Sequence, residues 1–255
     1  MQDDSDFVTA LARGLSILSC FQLHESELGN GDIAKRTGLA PATVARLTYT
    51  LTQLGYLRSI PQRRKYALSA RVLSIGYPVL AALPERELAR AHVKRLADET
   101  GGSVCLAIAD GLRAVYVEAS RGANVGQFPD IETHRPVLDS SVGRALYVGM
   151  SDQQRISVLN QLCVNEPQRS AELKEAAEAA LCDFARYGAC VTEGLALPGW
   201  SAAACPVQGL DGRNLALSLG LPTSSIPGAD FMRFAGAALR STAARIELAF
   251  RPGIS

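Results

Sequence analysis

At 255 residues the chain is too long for one small module and long enough for two domains that each bury a core. Hydrophobic residues make up 47%, charged residues 20% and aromatic residues 6%, and the net charge is +1, which argues against a disordered chain, a collagen-like repeat or a uniformly basic nucleic-acid coat. There is no run of ~18 uninterrupted apolar residues, and the N-terminus opens on Gln2, Asp3, Asp4, Ser5 and Asp6 instead of a basic stretch followed by an apolar one, so a soluble, cytoplasmic protein without membrane contact is expected.

From Asp6 to Phe21, Val8, Leu11, Leu15 and Leu18 recur at helical spacing and predict a first helix with one apolar face. Gly31 to Thr37 predicts a short helix stopped by Gly38, and Pro41 opens the next, a place where proline is welcome. That helix puts Val44, Leu47, Leu51 and Leu54 on a core side and leaves Ala42, Arg46, Tyr49, Thr50 and Gln53 on the other. Two short alternating runs, Tyr56 to Arg58 and Lys65 to Leu68, predict a β-hairpin in which Tyr56 and Tyr66 pack the wing. Arg71 to Ala82, apolar and interrupted by Gly76 and Pro78, reads as an interdomain connection, and Pro84 opens a helix running to about Thr100.

Strands are expected at Ser103 to Ala109 and Arg113 to Glu118, joined by the turn Asp110-Gly111. Helices follow at Ser141 to Met150, Asp152 to Cys163 and Ser170 to Tyr187. Further strands are expected at Ala189 to Thr192, Ser201 to Val207 and Leu215 to Leu221, and a last helix from Asp230 to Phe250. Sheet, helices, sheet, helix is an α+β pattern. The domain boundaries that result are 1–70 for a winged helix-turn-helix, 71–87 for a linker and 88–255 for a second domain.

Charge points to the partner of the first domain. Between Gly31 and Ile75, Lys35, Arg36, Arg46, Arg58, Arg63, Arg64, Lys65 and Arg71 face Asp32 alone, so the rest of this near-neutral chain is acidic on balance. A helix slim enough for the major groove and cations for the phosphates are what double-stranded DNA requires. Thr43, Arg46 and Thr50 are the candidates for the groove, and Arg58, Arg63, Arg64 and Lys65 on the wing for the backbone.

Cys20, Cys105, Cys163, Cys182, Cys190 and Cys205 lie in apolar contexts with no CxxC pair, and His24, His92 and His134 are scattered. There is no GxGxxG and no phosphate-binding loop, so reduced thiols, no metal and no cofactor are expected. The best case for an enzyme, a thiol hydrolase with Cys205 as nucleophile and His134 as base, places the thiol in a buried strand with no orienting third group.

Four blocks carry a resemblance to a known family: Leu11-Ala12-Arg13-Gly14-Leu15, Asp32 to Leu39, Thr43-Val44-Ala45-Arg46-Leu47 and Leu54-Gly55-Tyr56-Leu57. In order and spacing they resemble the IclR regulators, and the likeness continues through Ser141 to Leu146, Tyr187-Gly188 and Asp211-Gly212. The resemblance implies a winged helix-turn-helix, a linker helix that pairs protomers and a GAF-like α/β effector-binding domain. It also implies a homodimer or dimer of dimers on a palindromic operator, with control through operator binding or RNA polymerase contact, and a small organic acid, aromatic ones included, as effector. Ser140, Ser141 and Gly143 match the segment that meets an effector carboxylate, although an ordinary serine cap uses the same residues. Thr192, Glu193, Trp200, Ala202, Ser218 and Gly220 match the rest of the pocket. Here Thr192-Glu193 replaces an acidic pair, Trp200 a small aliphatic residue, Ala202 a cysteine found in some relatives, and Ala42 the usual serine. A domain that only dimerises, giving a ligand-independent DNA-binding protein, is the other reading.

Overall fold

The computed structural model describes residues 6–22, 25–123, 125, 134–194, 198–226 and 228–251. The chain divides into two compact units, Met1–Ala82 and Leu83–Ser255.

In the first unit, α1 (Thr9–Leu18), α2 (Asn30–Thr37) and α3 (Pro41–Gln53) precede a hairpin of β1 (Leu57–Ile60) and β2 (Lys65–Leu68). Helix α2 ends where Gly38 takes a left-handed φ of 68°, a conformation that costs a side chain little only when there is none. Ala40 then caps α3, and Pro41 fills its first turn. Ile17, Leu28, Ile33, Val44, Leu51 and Leu57 form the core. Thr48 lies in it fully buried, donating to the Val44 carbonyl at 3.0 Å and to Asn30 Oδ1 at 3.1 Å, whereas Leu54, expected on the core side, is exposed. Tyr56 and Tyr66 pack against this core, and Arg71 stacks on the Tyr56 ring at 5.2 Å.

The expected face of α1 behaves differently. Val8, Leu11 and Leu15 are exposed, Leu11 by 62%, while Ile17 carries the packing. Helix α4 (Leu73–Ala81) occupies the predicted connection and buries no residue; Leu73, Ile75, Tyr77 and Val79 are exposed.

The second unit begins with α5 (Pro84–Thr100), β3 (Ser103–Asp110), β4 (Arg113–Arg121) and β5 (His134–Pro136). Then come α6 (Ser141–Val148), α7 (Asp152–Asn165), α8 (Ser170–Tyr187), β6 (Cys190–Glu193), β7 (Trp200–Gln208), β8 (Asn214–Pro222) and α9 (Gly228–Phe250). The six strands make one antiparallel sheet ordered β5-β4-β3-β8-β7-β6, so the first and last groups of strands meet through β3 and β8. Helices α5 and α9 pack on one face of it and α6 on the other, with α8 behind α6. The short strand β5 was not expected from sequence.

Strand β8 holds the sheet's centre: Leu215, Leu217 and Leu219 are all fully buried. Replacing Leu217 by Ala is expected to lower the unfolding free energy of the second unit by about 2–5 kcal/mol, read from urea unfolding, because the surrounding sheet cannot collapse onto the void.

Candidate functional sites

Helix α3 turns Val44, Thr48 and Leu51 inward, which leaves Ala42, Ala45, Arg46, Tyr49, Thr50 and Gln53 exposed. Thr43 is half-buried, and the Thr50 hydroxyl donates back to the Arg46 carbonyl at 3.0 Å. On the wing, Arg58, Arg63 and Arg64 are exposed and Lys65 is half-buried. Arg63 reaches Glu27 at 2.8 Å, and Arg64 turns the hairpin with a φ of 51°. Of the candidate DNA contacts, Arg46, Arg58 and Arg64 thus have exposed side chains and, among the described residues, no ion pair. Arg63 shares its charge with a carboxylate.

The second site follows from strand register. Arg121 pairs with Ser103, Ser103 with Gly220, Gly220 with Ala202 and Ala202 with Thr192, one row across five strands that begins at the exposed Arg121 and continues in small side chains. The next row is Ala119, Cys105, Ser218, Ala204 and Cys190. Residues directly opposite in a ladder share a face, and Cys105 and Ala204 pack against Val142, Ala145 and Leu146, so both rows face α6. The sequence-predicted residues Thr192, Ala202, Ser218 and Gly220 are therefore brought together on this floor. Trp200 follows on the same face at the end of β7, half-buried, opposite Pro222. Glu193 is not brought in: it is exposed and pairs with Ser201 on the other face.

Sequence reading missed Ser103 and Tyr116. Ser103 is 1% exposed, and among the described residues its hydroxyl has no hydrogen-bond partner. Tyr116 is buried on the floor's side of β4, and burial pushes its phenol up, opposed by hydrogen bonds with Arg135 and Ser218, so it stays neutral. The signal available in the sequence was alternation, which sets Ser103 in phase with Cys105 and Ala107.

Above the floor, α6 is anchored by its own start. The Ser140 hydroxyl accepts from the Gly143 amide at 3.2 Å and donates to the Pro136 carbonyl at 3.0 Å. A side chain at Gly143 would collide with the Val137 carbonyl. These two residues are accounted for by capping and close approach, which leaves the first-turn amides of Ser141 and Val142 as the groups without an intrahelical acceptor. Asp139, just before the cap, is held by Arg169 through two hydrogen bonds of 2.8 and 3.2 Å, and the same guanidinium meets Glu166 and Glu172. Those hydrogen bonds hold the Glu172 carboxyl below its usual range.

A winged helix-turn-helix with an exposed basic reading face is the architecture of a DNA-binding regulator. Residues 10–61 match the IclR helix-turn-helix domain, and residues 78–248 match the bacterial transcriptional regulator IclR C-terminal domain. The chain belongs to the IclR family of transcriptional regulators. It is 35% identical over 195 residues to the HTH-type transcriptional regulator TsaQ1/TsaQ2 of Comamonas testosteroni, covering 75% of this chain and 70% of that protein. It superposes on an IclR family regulator from Brucella abortus with a TM-score of 0.79 and 34% identity, over 97% and 95% of the two chains. An IclR homologue from Microbacterium hydrocarbonoxydans, complexed with 4-hydroxybenzoate, shares the fold at 21% identity with a TM-score of 0.72, over 95% and 99%.

The thiol proposed for hydrolysis lacks the chemistry. Cys205 faces away from the floor, and burial pushes its thiol up to about 12 with Glu247 adding to the shift; burial likewise raises Cys190, on the other face, to about 12. His24 and the side chain of His134 lie outside the described residues. Among the described residues no group of three His, Cys, Asp or Glu side chains could hold a metal ion. A thiol with so high a pKa stays protonated at pH 8 and does not attack an electrophile. Iodoacetamide at pH 8 is therefore expected to label exposed Cys182 and spare Cys190 and Cys205 until the protein is unfolded, as read by peptide mass spectrometry.

Proposed function

We propose that this chain is a sequence-specific transcription regulator, not an enzyme, whose action responds to a small organic acid bound on the α6 face of the second unit's sheet. It acts in the cytoplasm on a double-stranded operator, as a homodimer or dimer of dimers. The effector changes operator affinity or RNA polymerase contact through the connection over residues 71–87, between a DNA-binding unit of residues 1–70 and an effector unit of residues 88–255. Among the described residues no helix is long and apolar enough to cross a membrane.

Assignment of DNA contacts rests on charge and placement. Arg46 stands at the centre of the exposed face of α3, Thr43 and Thr50 lie on either side along the helix, and Arg58, Arg63, Arg64 and Lys65 supply phosphate contacts from the wing. The exposed apolar residues of α1 and α4 suit a second copy of the chain, since among the described residues of the unit nothing covers either stripe.

The observation that carries the effector reading is the row Ser103, Gly220, Ala202 and Thr192. Its side chains from β3 to β6 are small, and it contains a buried hydroxyl with no partner among the described residues, a group that costs about 1–3 kcal/mol when left unmet. Ser218 and Trp200 border the row, and the amides of Ser141 and Val142 at the start of α6 suit a carboxylate. Ser140 and Gly143 serve by fixing that helix start. The related fold solved with 4-hydroxybenzoate supports an aromatic acid as one member of the class.

Two measurements test this. Arg46→Ala is expected to weaken binding to the selected operator by roughly 10- to 100-fold, about 1–3 kcal/mol, with an unchanged melting temperature; wild-type affinity would remove Arg46 from the interface. In a thermal-shift screen of aromatic and aliphatic acids, 4-hydroxybenzoate included, a ligand at 100 times its Kd is expected to stabilise the protein by about 2.7 kcal/mol. Ser103→Ala should raise the ligand-free melting temperature, because it removes an unmet buried hydroxyl, and lose much of the ligand-induced shift. A panel without a single shift would favour a ligand-independent dimeric DNA-binding protein.

A further inference from the structure

The exposed face of α3 sets apolar surface beside its hydrogen-bonding groups. Ala42, Ala45, Tyr49 and Gln53 follow one another at spacings of three and four, and Arg46 lies four after Ala42 and three before Tyr49, so they share one face, and all five are exposed. Two are alanines. Tyr49 is 65% exposed although most of its surface is an apolar ring. Thr50, beside them, has its hydroxyl proton committed to the Arg46 carbonyl. Hydrogen-bond readout at the centre of the face falls to the Arg46 guanidinium, the Gln53 amide and the Tyr49 phenol, with half-buried Thr43 and the Thr50 oxygen, as acceptor, at its edge, and the surface between them is methyl and aromatic.

The major-groove edges of the four base pairs offer such a surface one apolar partner, the C5 methyl of thymine. Alanines at two positions in the first half of α3 let its backbone come close to the groove floor, where residues near a recognition helix's N-terminus meet base edges. We infer that Ala45 and Tyr49 form a methyl-reading pocket beside Arg46, and that each operator half-site carries a thymine whose methyl group it contacts. Tyr49 is then a specificity-determining residue, placed one helical turn beyond Ala45 and Arg46. The inference rests on α3 being the helix that enters the groove, and it goes beyond that assignment by naming the base feature read.

The test uses the full-length protein and duplexes selected by it from a randomised pool, with each thymine of the selected site then replaced in turn by deoxyuridine, which removes only the methyl. Wild-type protein is expected to lose about fourfold in affinity at one thymine of each half-site, the loss expected for one buried methyl. Tyr49→Phe should keep that discrimination. Tyr49→Ala should reduce it below twofold while melting at the wild-type temperature, since the side chain is exposed. The inference fails if no thymine shows more than a twofold effect, or if Tyr49→Ala still discriminates fourfold. A pool from which no sequence is enriched would remove the groove assignment of α3 itself, an outcome distinct from enrichment without methyl dependence.

Discussion

Strand alternation in β8 sets the two faces of the sheet against each other. Leu215, Leu217, Leu219 and Leu221 point one way, and Ala216, Ser218 and Gly220 the other. The leucine face must be covered to remove apolar surface from water, and α5 and α9 cover it with Ala89, Val93, Leu96, Leu239 and Ile246, all buried. The small-residue face obeys a different constraint. Helix α6 packs directly on its alanines through Val142, Ala145 and Leu146, and where the row reaches Ser103, Gly220 and Ala202 the floor is lined by the smallest side chains available. One strand thus supplies both the adhesive layer of the domain and the floor of its candidate binding site. A one-residue slip of register would exchange the two.

Much of this was legible in the sequence because it is local. The α2–Gly38–α3 turn, the basic hairpin, the alternation of β8 and the alanine-rich α8 each announce themselves within a dozen residues, and the α+β architecture follows from their order. The floor was half legible: likeness to a family brought out Thr192, Ala202, Ser218 and Gly220, but Ser103 joins them only through a pairing of strands more than a hundred residues apart in sequence. No local pattern encodes that neighbour. Glu193 shows the converse, since adjacency to Thr192 in sequence places it, by pleat, on the opposite face. The short β5 is defined by pairing with β4 and not by its own three residues. Periodicity also has a specific blind spot in α1. The apolar recurrence of Val8, Leu11 and Leu15 is real, but periodicity finds an apolar face without saying what covers it, and here the unit's own core takes Ile17 instead.

The start of α6 illustrates how one set of residues can satisfy two demands. A serine followed by small residues at a helix start is what a cap needs and what an anion site needs, and sequence cannot separate them. The geometry divides the labour: the Ser140 hydroxyl is engaged on both sides, as donor and acceptor, and Gly143 is required by the Val137 carbonyl. Anchoring of this kind is what an anion site requires of its frame, because amides bind well only when the helix that carries them does not move. Arg169 extends the same anchoring outward, tying Asp139 to the turn between α7 and α8.

On the far face, the sheet grips the root of α5. Glu85 is fully buried in the first turn of that helix, where the dipole favours a carboxylate, and Arg213 from the β7–β8 turn meets it at 2.8 Å. Arg86 donates to the Val117 carbonyl at 2.8 Å and pairs with Glu118 at 3.0 Å, and Arg90 reaches the same carboxylate at 3.5 Å. The two carboxylates are buried while their arginines reach solvent, so each pair contributes less than the ~3–5 kcal/mol typical of a fully buried one, and together these contacts fix where α5 begins. The Arg86 and Arg90 contacts fall at the irregularity in the β3–β4 ladder between Leu106 and Ala107, where the extra residue Val117 separates Tyr116 from Glu118. Tyr116 faces the floor and Glu118 faces α5, so the strand that presents a phenol to the candidate site holds the first turn of α5 from behind. The connection proposed over residues 71–87 ends within this same first turn, so one bulged strand and two arginines, Arg86 and Arg90, join the candidate floor to it.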